Sequence, residues 1–331
     1  MTNFKRIAVL GDGGWGTTLA ILLYEKGLAV TLWSAFADYA HILDQKRMNT
    51  NFLKGIKIPK GIRITADLAY ALQSDLVVLA VPSQYLRSVL MNAGKFYKKE
   101  IPVVSVAKGI ENRTLLRMSE VVKEVWQTRD IAVLSGPTIA PEVAKKIPTT
   151  AVISSKNEKL MTELQDLFMT HYFRIYRNSD VTGVELGGSL KNVIAIACGI
   201  SDGLGFGTNT KAALLSRGLA EMGRLGAAMG AKKETFSGVS GLGDLVTTCF
   251  NPLSRNHFVG EQLGRGVPLR RITAGMKMVA EGIPTAKSAY LLAKRYKADL
   301  PITSEIYNVL FKNRSPQLAV RNLMLREKKA E

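Results

Sequence analysis

From Arg6 to about Asn178, short apolar runs rich in β-branched residues alternate with segments of helical periodicity. The runs at Ile7–Leu10, Ala29–Trp33, Ile62–Thr65, Leu76–Val81, Val103–Val106, Ala132–Ser135, Thr150–Ile153 and Phe173–Tyr176 predict strands. Several are continuously apolar, as strands covered on both faces are, and βα alternation predicts a doubly wound, mostly parallel sheet. After Asp180 the β-rich runs stop and long helical patterns with Gly, Ala and Met take over. Two domains are therefore expected: an α/β domain over 1–180 and an all-α helical domain over 181–331. In the second, Leu269–Val279, Thr285–Lys297 and Ser304–Phe311 are amphipathic and read as a bundle, with Met276 and Met278 as core fillers.

The first strand runs into Gly11-Asp12-Gly13-Gly14-Trp15-Gly16, and a helical segment follows to about Lys26. This is GxGxxG in the context that gives it meaning, since a strand-to-helix turn without side chains lets a pyrophosphate approach backbone N–H groups and the positive end of the helix dipole. Gly11 makes the turn, Gly13 admits the phosphates, and Gly16 lets helix and strand pack. A Rossmann-type nucleotide domain is the reading, a purely structural turn the bland alternative. Ligands in such sheets sit beyond the carboxyl ends of the strands, which collects Gly11 to Gly16, Ser34, Val81-Pro82-Ser83, Lys108-Gly109 and Gly136-Pro137-Thr138. At that edge Lys108 is either a cation for a phosphate or carboxylate, or an ordinary loop lysine.

In the second half, Leu186, Leu190, Val193, Ala197 and Ile200 share one helix face and look like core. Lys191 lies on another, with Gly187, Gly188, Ala195 and Cys198 around it, all small. Such a lysine either snorkels past a tightly packed neighbour or points into a cleft a ligand enters. Ser240-Gly241-Leu242-Gly243-Asp244 reads as a second glycine-rich loop holding a lone acid. Ser254-Arg255-Asn256 offers a hydroxyl, a guanidinium fork and an amide, a set suited to phosphate and equally to a plain helix start.

The 331 residues carry a net charge of +18, which invites a nucleic-acid or anionic-membrane partner. The excess is spread, +8 over 1–180 and +10 over 181–331, with no basic tail, so a solvated basic surface that favours anionic small molecules is expected and nucleic acid is not. The longest apolar helical run, around Val193 to Ile200, is far short of the roughly 20 residues of a membrane span. Met1 to Arg6 leaves no room for a signal peptide's apolar core, so a cytoplasmic protein without membrane insertion is expected. Cys198 and Cys249 have no paired spacing and read as reduced packing residues; His41, His171 and His257 show no ligand spacing, so no metal site is expected.

Taken in order, GDGGWGTTLA from Gly11, AVPSQ from Ala80, SVAKGIE from Ser105, LSGPTIAPEVA from Leu134, LKNVIAIACGISDGLG from Leu190, SGLGDLVTTC from Ser240, PLSRN from Pro252 and VAEGIPTA from Val279 span nearly the whole chain. In these the sequence resembles the bacterial NAD(P)-dependent glycerol-3-phosphate dehydrogenases. The resemblance implies reversible reduction of dihydroxyacetone phosphate to sn-glycerol 3-phosphate for phospholipid synthesis, in a homodimer. It implies Lys191 as the proton donor and acceptor, with Lys108 and Asp244 beside it in the catalytic set. Substrate would meet Lys108, Gly136, Thr138, Lys191, Asp244, Ser254, Arg255 and Asn256. Cofactor would meet Gly11, Gly13, Gly14, Trp15, Gly16, Lys108, Ala140, Arg255, Val279 and Glu281.

One departure concerns the end of the second strand, where an NAD-preferring fold has Asp or Glu and an NADP-preferring one has Arg. The family commonly shows an Arg after its Leu-Trp pair, whereas here Leu32-Trp33 is followed by Ser34-Ala35-Phe36-Ala37. Lys46 and Arg47 on the next helix are candidates for a 2′-phosphate. NADP(H) is thus expected by a narrow margin over NAD(H).

Overall fold

The computed structural model describes residues 4–276 and 278–328. The chain forms two compact units, one of Met1–Lys108 with Leu116–Glu185, the other of Gly109–Leu115 with Leu186–Glu331. The expected boundary at 180 lies five residues before the division after Glu185.

In the first unit all eight expected runs are strands: β1 (Arg6–Leu10), β2 (Ala29–Trp33), β3 (Arg63–Thr65), β4 (Leu76–Leu79), β5 (Val103–Ser105), β6 (Ile131–Ser135), β7 (Thr149–Ser155) and β8 (Phe173–Asn178). They form one sheet in the order β3-β2-β1-β4-β5-β6-β7-β8. Every pairing is parallel except β6 with β7, which run antiparallel.

Side chains alternate across a strand, so a sheet covered on both sides needs apolar residues at consecutive positions. Ile7 and Val9 of β1 and Leu76 and Val78 of β4 enter one core. Ala8 and Leu10, with Val77 and Leu79, enter the other. The strand order reverses at β1, between β2 and β4, and that switch point is where ligands bind in such sheets.

Among the described residues the second unit is helical apart from its turns and loops, and its core gathers on the helix Val181–Gly203, whose residues from Leu186 belong to this unit. That helix is longer than the apolar run at Val193–Ile200 suggests. Its 23 residues and mean hydropathy of 1.2 over the most apolar window would cross a bilayer by length and composition, yet the window is wholly buried in protein. It is a core helix. Gly199 and Gly203 face Gly260 and Gly264 of the helix Arg255–Gly264 so closely that a Cβ on any of the four would strike backbone of the opposite helix. Small residues one turn apart on both partners are what close helix crossings require.

Segment Gly109–Leu115 packs with this unit: Ile110 lies in its core, and Ser288 Oγ stands 3.1 Å from the Ile110 carbonyl oxygen and 2.5 Å from Asn112 Oδ1. Of the expected bundle, the helices run over Leu269–Ala274, Gly282–Tyr296 and Pro301–Phe311. The first stops short of Val279. Met276 packs on the core as expected, but Met278 is exposed; both lie beyond the end of that helix at Ala274. Cys198 and Cys249 are free thiols, both fully buried.

Candidate functional site

In the first unit the helix Gly14–Glu25 starts directly after the glycine turn, capped at Gly13 without a side-chain hydrogen bond. Its first N–H groups are therefore left to a ligand or water. Gly11 has φ +122°, a conformation side chains rarely adopt, and a Cβ there would stand 2.6 Å from the Ala80 carbonyl oxygen just after β4. A Cβ on Gly16 would overlap the Gly11 carbonyl oxygen, whereas one on Gly13 would meet nothing within 4 Å. The three glycines thus divide into a turn, a packing contact and an open approach, a cradle that fits a pyrophosphate.

Around this turn, Gly14 is tight against the Phe52 carbonyl oxygen, with Ala140 beside it. Trp15 stands edge-on to Phe173 at 6.2 Å between ring centroids. Thr18 Oγ1 donates to the Ala140 carbonyl oxygen at 3.2 Å. Lys108 Nζ donates to the Gly136 carbonyl oxygen at 2.8 Å and lies 3.4 Å from Thr138 Oγ1. Gly136 also takes a positive φ, +139°, with its Cα face against Ala151. Lys108 is thereby anchored at the carboxyl edge of β5 and β6.

In the second unit Lys191 is buried and ion-paired to the buried Asp244, the contact running from Nζ to Oδ1. Nζ also reaches Thr248 Oγ1 at 2.6 Å, and Thr248 Oγ1 donates to the Asp244 carbonyl oxygen at 2.6 Å. The expected second glycine loop is instead a π-helical turn, Val239–Gly243, leading into the helix Asp244–Phe250. A Cβ on Gly187 would stand 2.6 Å from the Ser240 carbonyl oxygen. Gly187, beside Lys191, thus seats this turn on the long helix, and that seating brings Asp244 to the lysine. An unusual turn of this type often marks a functional site.

Asn192, next to Lys191, accepts from Asn256 Nδ2 at 2.9 Å, and Asn256 Oδ1 accepts from the Gly282 N–H at 2.9 Å. Ser254 caps its helix by accepting from the His257 N–H at 3.3 Å. Arg255 is exposed and donates to the Val279 carbonyl oxygen at 2.6 Å, two residues before Glu281, which precedes the helix Gly282–Tyr296. Lys191, Asp244, Ser254, Arg255, Asn256, Val279 and Glu281 are thus connected within one unit, and Gly11 to Gly16, Lys108, Gly136, Thr138 and Ala140 within the other.

Thr248 and Asn192 escaped the sequence reading. Their signals were present: Thr248 stands four residues after Asp244, on the same helix face, and Asn192 adjoins the lysine. Arg47, a candidate for a 2′-phosphate, bonds to Asp44 at 2.5 Å and to the Ile62 carbonyl oxygen at 2.7 Å. Lys46 is exposed in the last turn of the helix Ala37–Lys46.

The chain matches the family model of the NAD-dependent glycerol-3-phosphate dehydrogenase N-terminus over residues 6–161 and that of the C-terminus over residues 180–321. A glycerol-3-phosphate dehydrogenase (NAD(P)+) of Geobacter sp. strain M21 is 50% identical over 331 residues, covering 99% of each chain. One from Thermoanaerobacter sp. strain X514 is 49% identical, covering 98% of each. A crystal structure of the glycerol-3-phosphate dehydrogenase of Coxiella burnetii superposes with a TM-score of 0.94 at 36% identity, covering 97% of this chain and 99% of that one.

Proposed function

The chain belongs to the NAD-dependent glycerol-3-phosphate dehydrogenase family, and from that premise we propose that it interconverts dihydroxyacetone phosphate and sn-glycerol 3-phosphate with Lys191 moving the proton. It is an NAD(P)-dependent oxidoreductase. The observation that carries the proposal is the buried contact of Lys191 Nζ with Asp244 and Thr248. Those contacts hold the ammonium of a buried lysine in one place beside the helix Asp244–Phe250.

Bound nicotinamide supplies or accepts the hydride at the carbon. In reduction, negative charge grows on the carbonyl oxygen; the Lys191 ammonium stabilises it and delivers the proton, and in oxidation the neutral amine takes the hydroxyl proton. Asp244 and Thr248 aim Nζ. Gly11, Gly13, Gly14, Trp15 and Gly16 hold the dinucleotide. Ala140, Val279, Glu281 and Arg255 complete its contacts.

The phosphate falls to Arg255, Ser254 and Asn256. Ser254 and Arg255 stand at the positive end of a ten-residue helix, and the hydroxyl that caps it keeps its own proton to donate. Lys108, Gly136 and Thr138 contribute further polar contacts to substrate, Lys108 to the cofactor as well. Residues 1–180 serve as the nucleotide domain and 181–331 as the substrate and catalytic domain. The functional protein is a cytoplasmic homodimer feeding glycerophospholipid synthesis.

Oxidation of NADH or NADPH by dihydroxyacetone phosphate, with unphosphorylated dihydroxyacetone as comparator, tests the reading. The phosphorylated ketone is expected to be favoured in kcat/KM by at least about a thousandfold, because a phosphate site left unpaired is costly. Equal use of both ketones would contradict it.

A further inference from the structure

In dinucleotide-binding sheets the adenosine ribose lies at the carboxyl end of the second strand, where an acid accepts from its hydroxyls or an arginine meets a 2′-phosphate. Here that end carries Ser34, which is fully buried, followed by exposed Ala35 and Phe36. Ser34 Oγ donates to Asp12 Oδ2 at 2.6 Å and accepts from the Phe36 N–H at 3.3 Å. A carboxylate is therefore present at the strand end, supplied by the glycine turn rather than by the strand.

Its position is fixed from both sides. The Asp12 carbonyl oxygen accepts from Asn49 Nδ2 at 2.7 Å, and Asn49 Oδ1 accepts from the Tyr39 hydroxyl at 2.8 Å. Tyr39 lies in the first turn of the helix Ala37–Lys46, and its hydroxyl is held above its usual range by burial first and by the Asp12 charge second. The field of the carboxylate thus reaches the first turn of this helix. Arg47, at its end, is engaged by Asp44 and by backbone carbonyls.

We propose that Asp12, oriented by Ser34, replaces the strand-end acid and makes this chain select NAD(H) over NADP(H). The proposal rests on the dinucleotide reading of the glycine turn, and it reverses the narrow expectation of NADP(H) drawn from Lys46 and Arg47. A ribose hydroxyl can donate to the carboxylate; a 2′-phosphate would bring like charge against it, at a cost of several-fold to many-fold in affinity.

Equilibrium binding of NADH and NADPH to the substrate-free enzyme, measured by titration calorimetry, tests this without turnover. The wild type is expected to bind NADH at least about tenfold more tightly than NADPH. In Asp12→Asn, an amide of the same shape, the ratio is expected to fall to about threefold or less, chiefly through tighter NADPH binding, at an unchanged melting temperature. Ser34→Ala should weaken NADH binding and lower the ratio part of the way. A wild type that binds NADPH as tightly as NADH, or a ratio untouched in Asp12→Asn, would overturn the proposal. Failure of both nucleotides to bind would overturn the dinucleotide reading itself, and the proposal with it.

Discussion

Lys191 owes its surroundings to residues that do no chemistry. Gly187 admits the Ser240 backbone, the turn that follows presents Asp244, and Thr248 one helical turn later closes the set. Removing the Thr248 hydroxyl should therefore loosen the aim of the ammonium without removing it. Thr248→Val is expected to lower kcat by roughly tenfold or more, the loss of one hydrogen bond to a charged group, with little change in KM. Steady-state kinetics at saturating cofactor would show it, and an unchanged kcat would deny Thr248 a positioning role. The lysine and the acid were legible in the sequence as lone charges among small residues. Thr248 and Asn192 were not singled out, because the spacing that puts Thr248 one turn from Asp244 and Asn192 beside the lysine does not show which partners the helix packing brings to them.

A second buried acid affects stability rather than chemistry. Glu221 accepts from the Ile302 and Thr303 N–H groups at 2.5 and 3.1 Å, capping the helix Pro301–Phe311 from another element. Those donors favour its charged form, yet burial outweighs them and pushes its carboxyl up from 4.5 to about 7. The folded state holds this proton more tightly than the unfolded chain does. Its contribution is thus complete below pH 4.5 and is lost as pH rises through about 7. The wild type should lose about 3 kcal/mol relative to Glu221→Gln across that window. Parallel stability curves for the two, from denaturant unfolding at several pH values, would contradict this.

At the scale of elements, the long helix and the helix Arg255–Gly264 meet through glycines on both sides, and that approach lets Asn192 reach Asn256. Gly260→Ala would drive a methyl into the Ile196 carbonyl oxygen. It is expected to cost about 1–3 kcal/mol or more of stability, as overpacking does, and to lower kcat/KM by spoiling the Asn192–Asn256 bond. A wild-type unfolding midpoint would show that the helices can separate freely.

The strands were legible because a sheet covered on both faces demands consecutive apolar residues, and β1 and β4 meet that demand literally. Helices were less so. Thr208–Ala228 buries Gly218, Glu221 and Gly226 among its apolar residues, so no clean stripe marks it. The Val239–Gly243 turn looked like a loop because glycine-rich composition describes a turn and a tightly packed π-helical segment alike. Met278 was misread because periodicity carried the helix past its end at Ala274.

For the whole molecule, the charge of +18 bears on encounter more than on chemistry. A basic protein draws in a dianionic substrate and an anionic cofactor, and salt screens that attraction. The kcat/KM for dihydroxyacetone phosphate is expected to fall by roughly threefold or more as ionic strength rises from about 0.01 to 0.3 M, with kcat nearly constant. A flat profile in a salt series would remove any role for the overall charge. Composition makes this expectation legible; the proposed selection between cofactors, by contrast, rests on one bond from Ser34 to Asp12, which composition does not show.

Turnover of Lys191→Ala, measured beside its NADH affinity, bears most directly on the proposed chemistry. Loss of the group that stabilises and protonates the carbonyl oxygen is expected to lower kcat by about a thousandfold or more, with the dissociation constant for NADH changed by less than about twofold. A folded Lys191→Ala enzyme that keeps the wild-type kcat would contradict it.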